Sequence, residues 1–166
     1  MGSHQTPHAF GGSGQHREHD VRSVQRMSLP PGRNAHWVAQ EYMRWLPKLL
    51  PFILGVNVTP DEVCTFRLFG IPLLVLEYAK PRSTPDRALF YIRGGYLARI
   101  QGRGRLEFRM LPKESILLAA IHEFRPRLPW RIYSYTQAKA HLWVMRAFGR
   151  HLRKLTSAGS VRESLA

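Results

Sequence analysis

The stretch YTQAKAHLWVMRAFGRHLRKL, residues 135–155, decides how this chain must be read. At roughly 100° per residue, Ala138, Leu142, Met145, Phe148, Leu152 and Leu155 fall on one broad face, the spacing of an amphipathic helix docked on a core. His141 lands in the middle of that apolar face, with Ser134 and Gln137 on the same inward side. Lys139, Arg146, Arg150 and Arg153 gather on the opposite side with Trp143 among them, and no acidic residue occurs between positions 131 and 155. One face thus turns inward carrying a single imidazole, and the other turns outward carrying unbalanced positive charge.

Such a helix needs an apolar surface to cover, and the preceding sequence supplies a sheet. The clearest strand is RLEFRM, where Leu106, Phe108 and Met110 alternate with Arg105, Glu107 and Arg109, marking one buried and one solvated face. The same period of two predicts strands over 62–69 (Cys64, Phe66, Leu68), 72–80 (Leu74, Leu76, Tyr78), 87–93 (Phe90, Ile92), 96–101, 104–111 and 114–125. Turn-forming pieces, PRSTPD, RGG, QGRG and LPKES, separate them. Links this short imply antiparallel meander pairing, because parallel neighbours would need long crossovers.

Upstream, residues 20–29 read as one further strand, and Asn34 is placed to cap a helix over AHWVAQEYMRWLPKLL. Pro47 and Pro51 are expected to kink or end that helix, leaving PFILGV as a short second element. Residues 1–18, rich in Gly, Ser, Gln and His, read as a disordered lead whose histidines show no ligand spacing. Residues 19–156 form the domain, and 157–166 a flexible polar tail.

This order of elements resembles the START-like, or polyketide cyclase-like (SRPBCC), helix-grip superfamily, in which a curved sheet wraps a long terminal helix. The likeness runs over residues 20–155 and is carried by HWVAQEYMRWLPKLLPFILGV, by LFYIRGGYLAR with GRLEFRM, and by FRPRLPWRIYSYTQAKAHLWVMRAF. It implies an α+β fold with an antiparallel sheet of six or seven strands. It also implies an apolar cavity between sheet and helix that holds a lipid, polyketide or other hydrophobic molecule, some members being cyclases or dehydratases. None of these stretches is a catalytic signature.

Composition bounds the remaining choices. The 166 residues hold 25 Lys and Arg against 11 Asp and Glu, a formal net charge of +14. That excess concerns partners rather than fold, and nucleic acid or an anionic membrane could each exploit it. The single cysteine, Cys64, excludes an internal disulfide and a cysteine-built metal site, and its apolar surroundings point to an inert thiol. No secretory h-region opens the chain and no apolar run reaches the length of a membrane span, so a cytoplasmic location is expected. The glycines of GYLARIQGRGRLEF lack the strand-turn-helix setting of a dinucleotide fingerprint, and a hairpin explains them.

The candidate ligand-binding set is therefore His141, Ser134, Ala138, Met145 and Phe148 on the helix, with Tyr78, Phe90 and Phe108 on the strands. Lys139, Trp143, Arg146, Arg150 and Arg153 make a candidate basic surface for anionic membrane or nucleic acid. His141 has three roles open to it: contact with a ligand, a structural hydrogen bond, or general acid–base work. No paired carboxylate or triad is visible, and neither metal nor organic cofactor is indicated.

Overall fold

The computed structural model describes residues 21–98, 103–111, 115–125, 127 and 137–163. Strand β1 (Val21–Ser28) leads into helix α1 (Ala35–Leu49), followed by β2 (Leu54–Val58), β3 (Val63–Leu68) and β4 (Ile71–Tyr78). After a single 3-10 turn (Lys80–Arg82) come β5 (Arg87–Gly94), β6 (Arg105–Met110), β7 (Ile116–Phe124) and the long helix α2 (Gln137–Glu163). The seven strands form one antiparallel sheet in the order β1-β7-β6-β5-β4-β3-β2. Strands β2 to β7 are a simple meander. Only β1 breaks the sequence, because α1 carries the chain from one edge of the sheet to the other.

Helix α1 begins where capping chemistry places it. Asn34 holds an extended backbone and its side-chain oxygen accepts a hydrogen bond from the Trp37 amide at 2.9 Å. Ala35, Val38, Ala39, Tyr42, Met43 and Leu46 then recur at helical spacing and are buried. The helix runs through Pro47 to Leu49 rather than stopping at the proline. Pro47 lies in the last turn, where one missing amide removes one hydrogen bond and Leu46 stays packed.

Register bends the sheet. The register places one extra residue on β7 opposite Val21–Ser23 of β1, one on β4, Leu73, opposite Phe66–Arg67 of β3, and one on β5, Arg93, opposite Val75–Leu76 of β4. Each extra residue increases local twist and turns the strand inward. Gly95 at the end of β5 makes a related approach: with φ of 112°, a Cβ there would lie 2.3 Å from the Leu73 carbonyl oxygen. The chain beyond it folds back along the start of β4, the Tyr96 and Leu97 amides donating to the Pro72 and Leu73 carbonyls. The strand expected over 96–101 is therefore a turn through Leu97, with 99–102 outside the described residues. The seventh strand is β2 instead, which begins within PFILGV, so the short second element expected there is a strand.

The core lies on the concave face. Fully buried Phe108 and Phe148, from β6 and α2, meet across the Tyr42 ring at centroid distances of 5.7 and 5.0 Å. Leu76, Leu117 and Leu152 are equally enclosed. Helix α1 is tied to α2 by Glu41, whose carboxylate accepts from His151 at 2.9 Å while the His151 ring stacks on Trp45. On the convex face Glu107 is buried, not solvated as strand alternation suggests, because Arg87 and Arg109 fold over it with hydrogen bonds of 3.0 and 2.8 Å.

Candidate functional site

Between the concave face and α2 lies a cavity of about 730 Å³. One wall is aliphatic and belongs to the sheet: Leu68, Leu73, Leu74, Leu76, Ile92 and Leu106. Leu46, Leu50 and Leu54, around the end of α1, continue it. The sheet leaves this hollow because its bulged strands curve away faster than one helix and the α1 side chains can fill.

The polar lining groups sit elsewhere. Apart from Tyr42, they come from β1 (Arg22, Ser23, Gln25) and α2 (Gln137, His141), two elements packed against one another. Gln137 and His141 are four apart and so share one helix face. Burial lowers the His141 pKa below its ordinary 6.5, so the imidazole is neutral at neutral pH and offers one donor and one acceptor. The Gln137 Oε1 atom is buried and has no hydrogen-bond partner among the described residues. A ligand hydroxyl or amide would satisfy it; a hydrocarbon would not.

Tyr42 is the remaining polar contributor. Burial, with a smaller contribution from Cys64, raises the pKa of its hydroxyl well above 10, so it stays protonated. Cys64 is buried beside the Met43 sulfur at 3.2 Å, and burial pushes its thiol up to about 12. A thiol held there is no nucleophile at neutral pH.

Of the residues singled out from sequence, His141, Gln137 and Ala138 line this cavity. Met145, Phe148 and Phe108 are buried in the core and do not contribute to the lining. Phe108 and Phe148 instead brace Tyr42 from behind. Tyr78 and Phe90 pack on one another at 5.2 Å, and the Tyr78 hydroxyl meets His36 Nδ1 at 3.2 Å, away from the cavity lining. Ser134 lies outside the described residues. Sequence reasoning passed over Arg22, Ser23 and Gln25; the signal was their position on the strand that pairs with β7, which topology alone reveals.

The basic residues Lys139, Arg146, Arg150 and Arg153, with Trp143 among them, are all exposed on α2. Arg146, Arg150 and Arg153 also border a separate recess of about 270 Å³ between α2 and β1, facing Gln25 and Arg26. Met145 forms part of its floor. Among the described residues, no cluster of His, Cys, Asp or Glu side chains could hold a metal ion, and no helix is long and apolar enough to cross a membrane.

No family model matches the chain. Among curated proteins, Auxiliary protein GraX of Staphylococcus aureus is 24% identical over 130 residues, which is 78% of this chain and 42% of that protein. The chain thus spans less than half the length of that relative. Among solved structures, an uncharacterised protein from Bacillus thuringiensis superimposes with a TM-score of 0.52 at 11% identity, over 80% of this chain and 98% of the other. Ara h 8.0201 gives 0.54 at 13% identity, over 82% and 98%. A START superfamily protein from Mycobacterium smegmatis gives 0.50 at 12% identity, again over 82% and 98%. At such identities the likeness is one of fold.

Proposed function

The chain has a START-like (SRPBCC) helix-grip fold, and on that premise we propose that its cavity binds a small hydrophobic ligand, lipid-like or polyketide-like. The observation that carries this reading is the division of the lining: an aliphatic sheet wall facing a polar strip on β1 and α2. A volume of about 730 Å³ lies in the range of small-molecule sites, which are mostly apolar with a few placed polar groups. The ligand's hydrocarbon body packs on Leu74, Leu76 and Ile92. Its polar end takes the neutral His141 imidazole and the Gln137 oxygen that has no partner among the described residues, with Ser134 as a further proposed contact, Ala138 beside His141 on α2, and Met145, Phe148, Phe108, Tyr78 and Phe90 in the packed core behind the lining. Binding alone accounts for these groups, and no cofactor or catalytic step is invoked.

The test uses the full chain and a fluorescent fatty acid as probe. Ala138 lines the hollow, so Ala138→Trp should fill part of it, keep the circular dichroism spectrum, and weaken uptake about tenfold or more. Unchanged uptake by a folded Ala138→Trp variant would place the probe elsewhere and refute the reading.

A further inference from the structure

Two loops at one end of the sheet expose large apolar side chains. In the α1–β2 loop Phe52 is fully exposed, with φ of 67°, and Ile53 follows it on the surface. In the β3–β4 turn Phe69 is 74% exposed with φ of 48°, and Gly70 has φ of 81°. Two successive positive φ angles define the hairpin turn that favours Asn-Gly or Gly-Gly, and a bulky aromatic is an outlier there. The Phe69 amide donates to the Ile53 carbonyl at 3.0 Å, which stitches the two tips together. Ile71 and Tyr96, more than half exposed, stand beside them, the Tyr96 amide donating to the Pro72 carbonyl. Backbone strain is thus accepted at two places to hold an aromatic ring in water, where it contributes nothing to the core.

The position of these tips is as telling as their chemistry. Their chain neighbours Leu50, Leu54, Leu68, Leu73 and Leu97 all line the cavity, so the exposed side chains form its rim at this end. The charge is one-sided as well. No Asp or Glu occurs over 42–60, 63–76 or 87–106. Lys48 and Arg67 are exposed next to the tips, and the Arg127 guanidinium lies 5.7 Å from the centre of the Tyr96 ring. Separate aromatic tips on convex loops, ringed by cations, suit a deformable medium with an apolar interior and an anionic surface. A folded partner would need a matching set of holes; a bilayer interface needs none.

We propose that this end of the molecule docks on an anionic lipid bilayer, inserting Phe52 and Phe69 so that the mouth of the cavity opens onto the lipid. The docking end is the pair of loop tips, not the arginine face of α2. The inference does not require that the cavity be occupied, so its failure and that of the ligand reading are separable.

The experiment is co-sedimentation of the full chain with vesicles of phosphatidylcholine plus phosphatidylglycerol, and with phosphatidylcholine alone. The wild type should bind the anionic vesicles more tightly, and added salt should weaken that preference. The double variant Phe52→Ala/Phe69→Gly should lose at least about tenfold in vesicle affinity. Because glycine relieves the strained turn, its Tm should match or exceed that of the wild type, so lost binding would not reflect lost fold. Arg146→Glu/Arg150→Glu should leave binding within about twofold. Three results would each overturn the proposal: wild-type protein that ignores anionic vesicles; a double variant that binds as well as wild type; or abolition of binding by the α2 charge reversals alone. Wild-type dimers that dissociate in the double variant, without vesicle binding, would instead assign the tips to a protein interface and equally overturn it.

Discussion

Replacing His141 with Phe should change how stability depends on pH. Burial lowers the pKa of this imidazole in the folded protein, whereas in the unfolded chain it titrates near its ordinary 6.5. Below that pH the unfolded state takes up a proton that the native state refuses, so native stability falls as pH falls. The slope attributable to this one group approaches about 1.4 kcal/mol per pH unit until the native imidazole is itself protonated. Above about pH 7.5 both states hold it neutral and the term is flat. Urea unfolding of wild type and His141→Phe between about pH 7.5 and about pH 5.5 isolates the effect, because every other group titrates in both proteins. The stability difference should move in favour of the variant as the medium is acidified. A difference that stays constant across this range would mean that His141 is not held neutral by burial, and the polar end assigned to the ligand would lose its basis.

Two further outcomes follow from packing and charge on the sheet. Burial acts to raise the Glu107 pKa, yet hydrogen bonds and charge from Arg87, with Arg109, outweigh it and hold the carboxyl below 4.5. Its contribution is therefore present above that value and is lost as pH falls through the lower native one; Glu107→Gln should cost about 1–2 kcal/mol in neutral urea titrations and flatten the acid limb below about pH 4.5, and an unchanged limb would contradict the pairing. Gly95→Ala would place a methyl 2.3 Å from the Leu73 carbonyl oxygen in a backbone region closed to L residues, so calorimetry should show a loss above about 3 kcal/mol; a Tm within about 2 °C of wild type would show that the β4–β5 junction yields.

Much of the fold was legible because separate signals agreed. Asn34 announced α1, the alternation of Leu106, Phe108 and Met110 announced β6, and the apolar stripe from Ala138 to Leu155 announced α2. The misreadings share a cause: local pattern does not report what a neighbouring element supplies. Strand β2 alternates Leu54, Val56 and Val58 with Gly55 and Asn57, but it is five residues long, largely exposed and close behind Pro51, so its brief pattern does not stand out and it is held by pairing with β3. Glu107 obeys the period of its strand, but nothing local shows that Arg87 and Arg109 roof it over. The site was legible in part for the same reason. Helical spacing put His141 and Ala138 inward, and inward is where they are. Which inward aromatics meet a void and which meet another ring depends on the bulges of β4 and β5 and on where Tyr42 stands, and these are properties of the assembled sheet.

The pairing of β1 with β7 has a consequence for how the molecule comes into being. Val24 meets Ala120 across the ladder, so β1 leaves the ribosome and then waits for a partner made roughly a hundred residues later. In the interval β2 to β6 can zip up as consecutive hairpins, while β1 has no edge to join. A waiting strand with free amides and carbonyls invites pairing with another nascent copy. Arg22 and Arg26 are exposed on β1 two residues to either side of the exposed Val24, and two like charges along the strand repel a second such strand. Part of the chain's positive charge thus serves the unfinished protein, guarding a strand whose place in the sheet is the last to be filled.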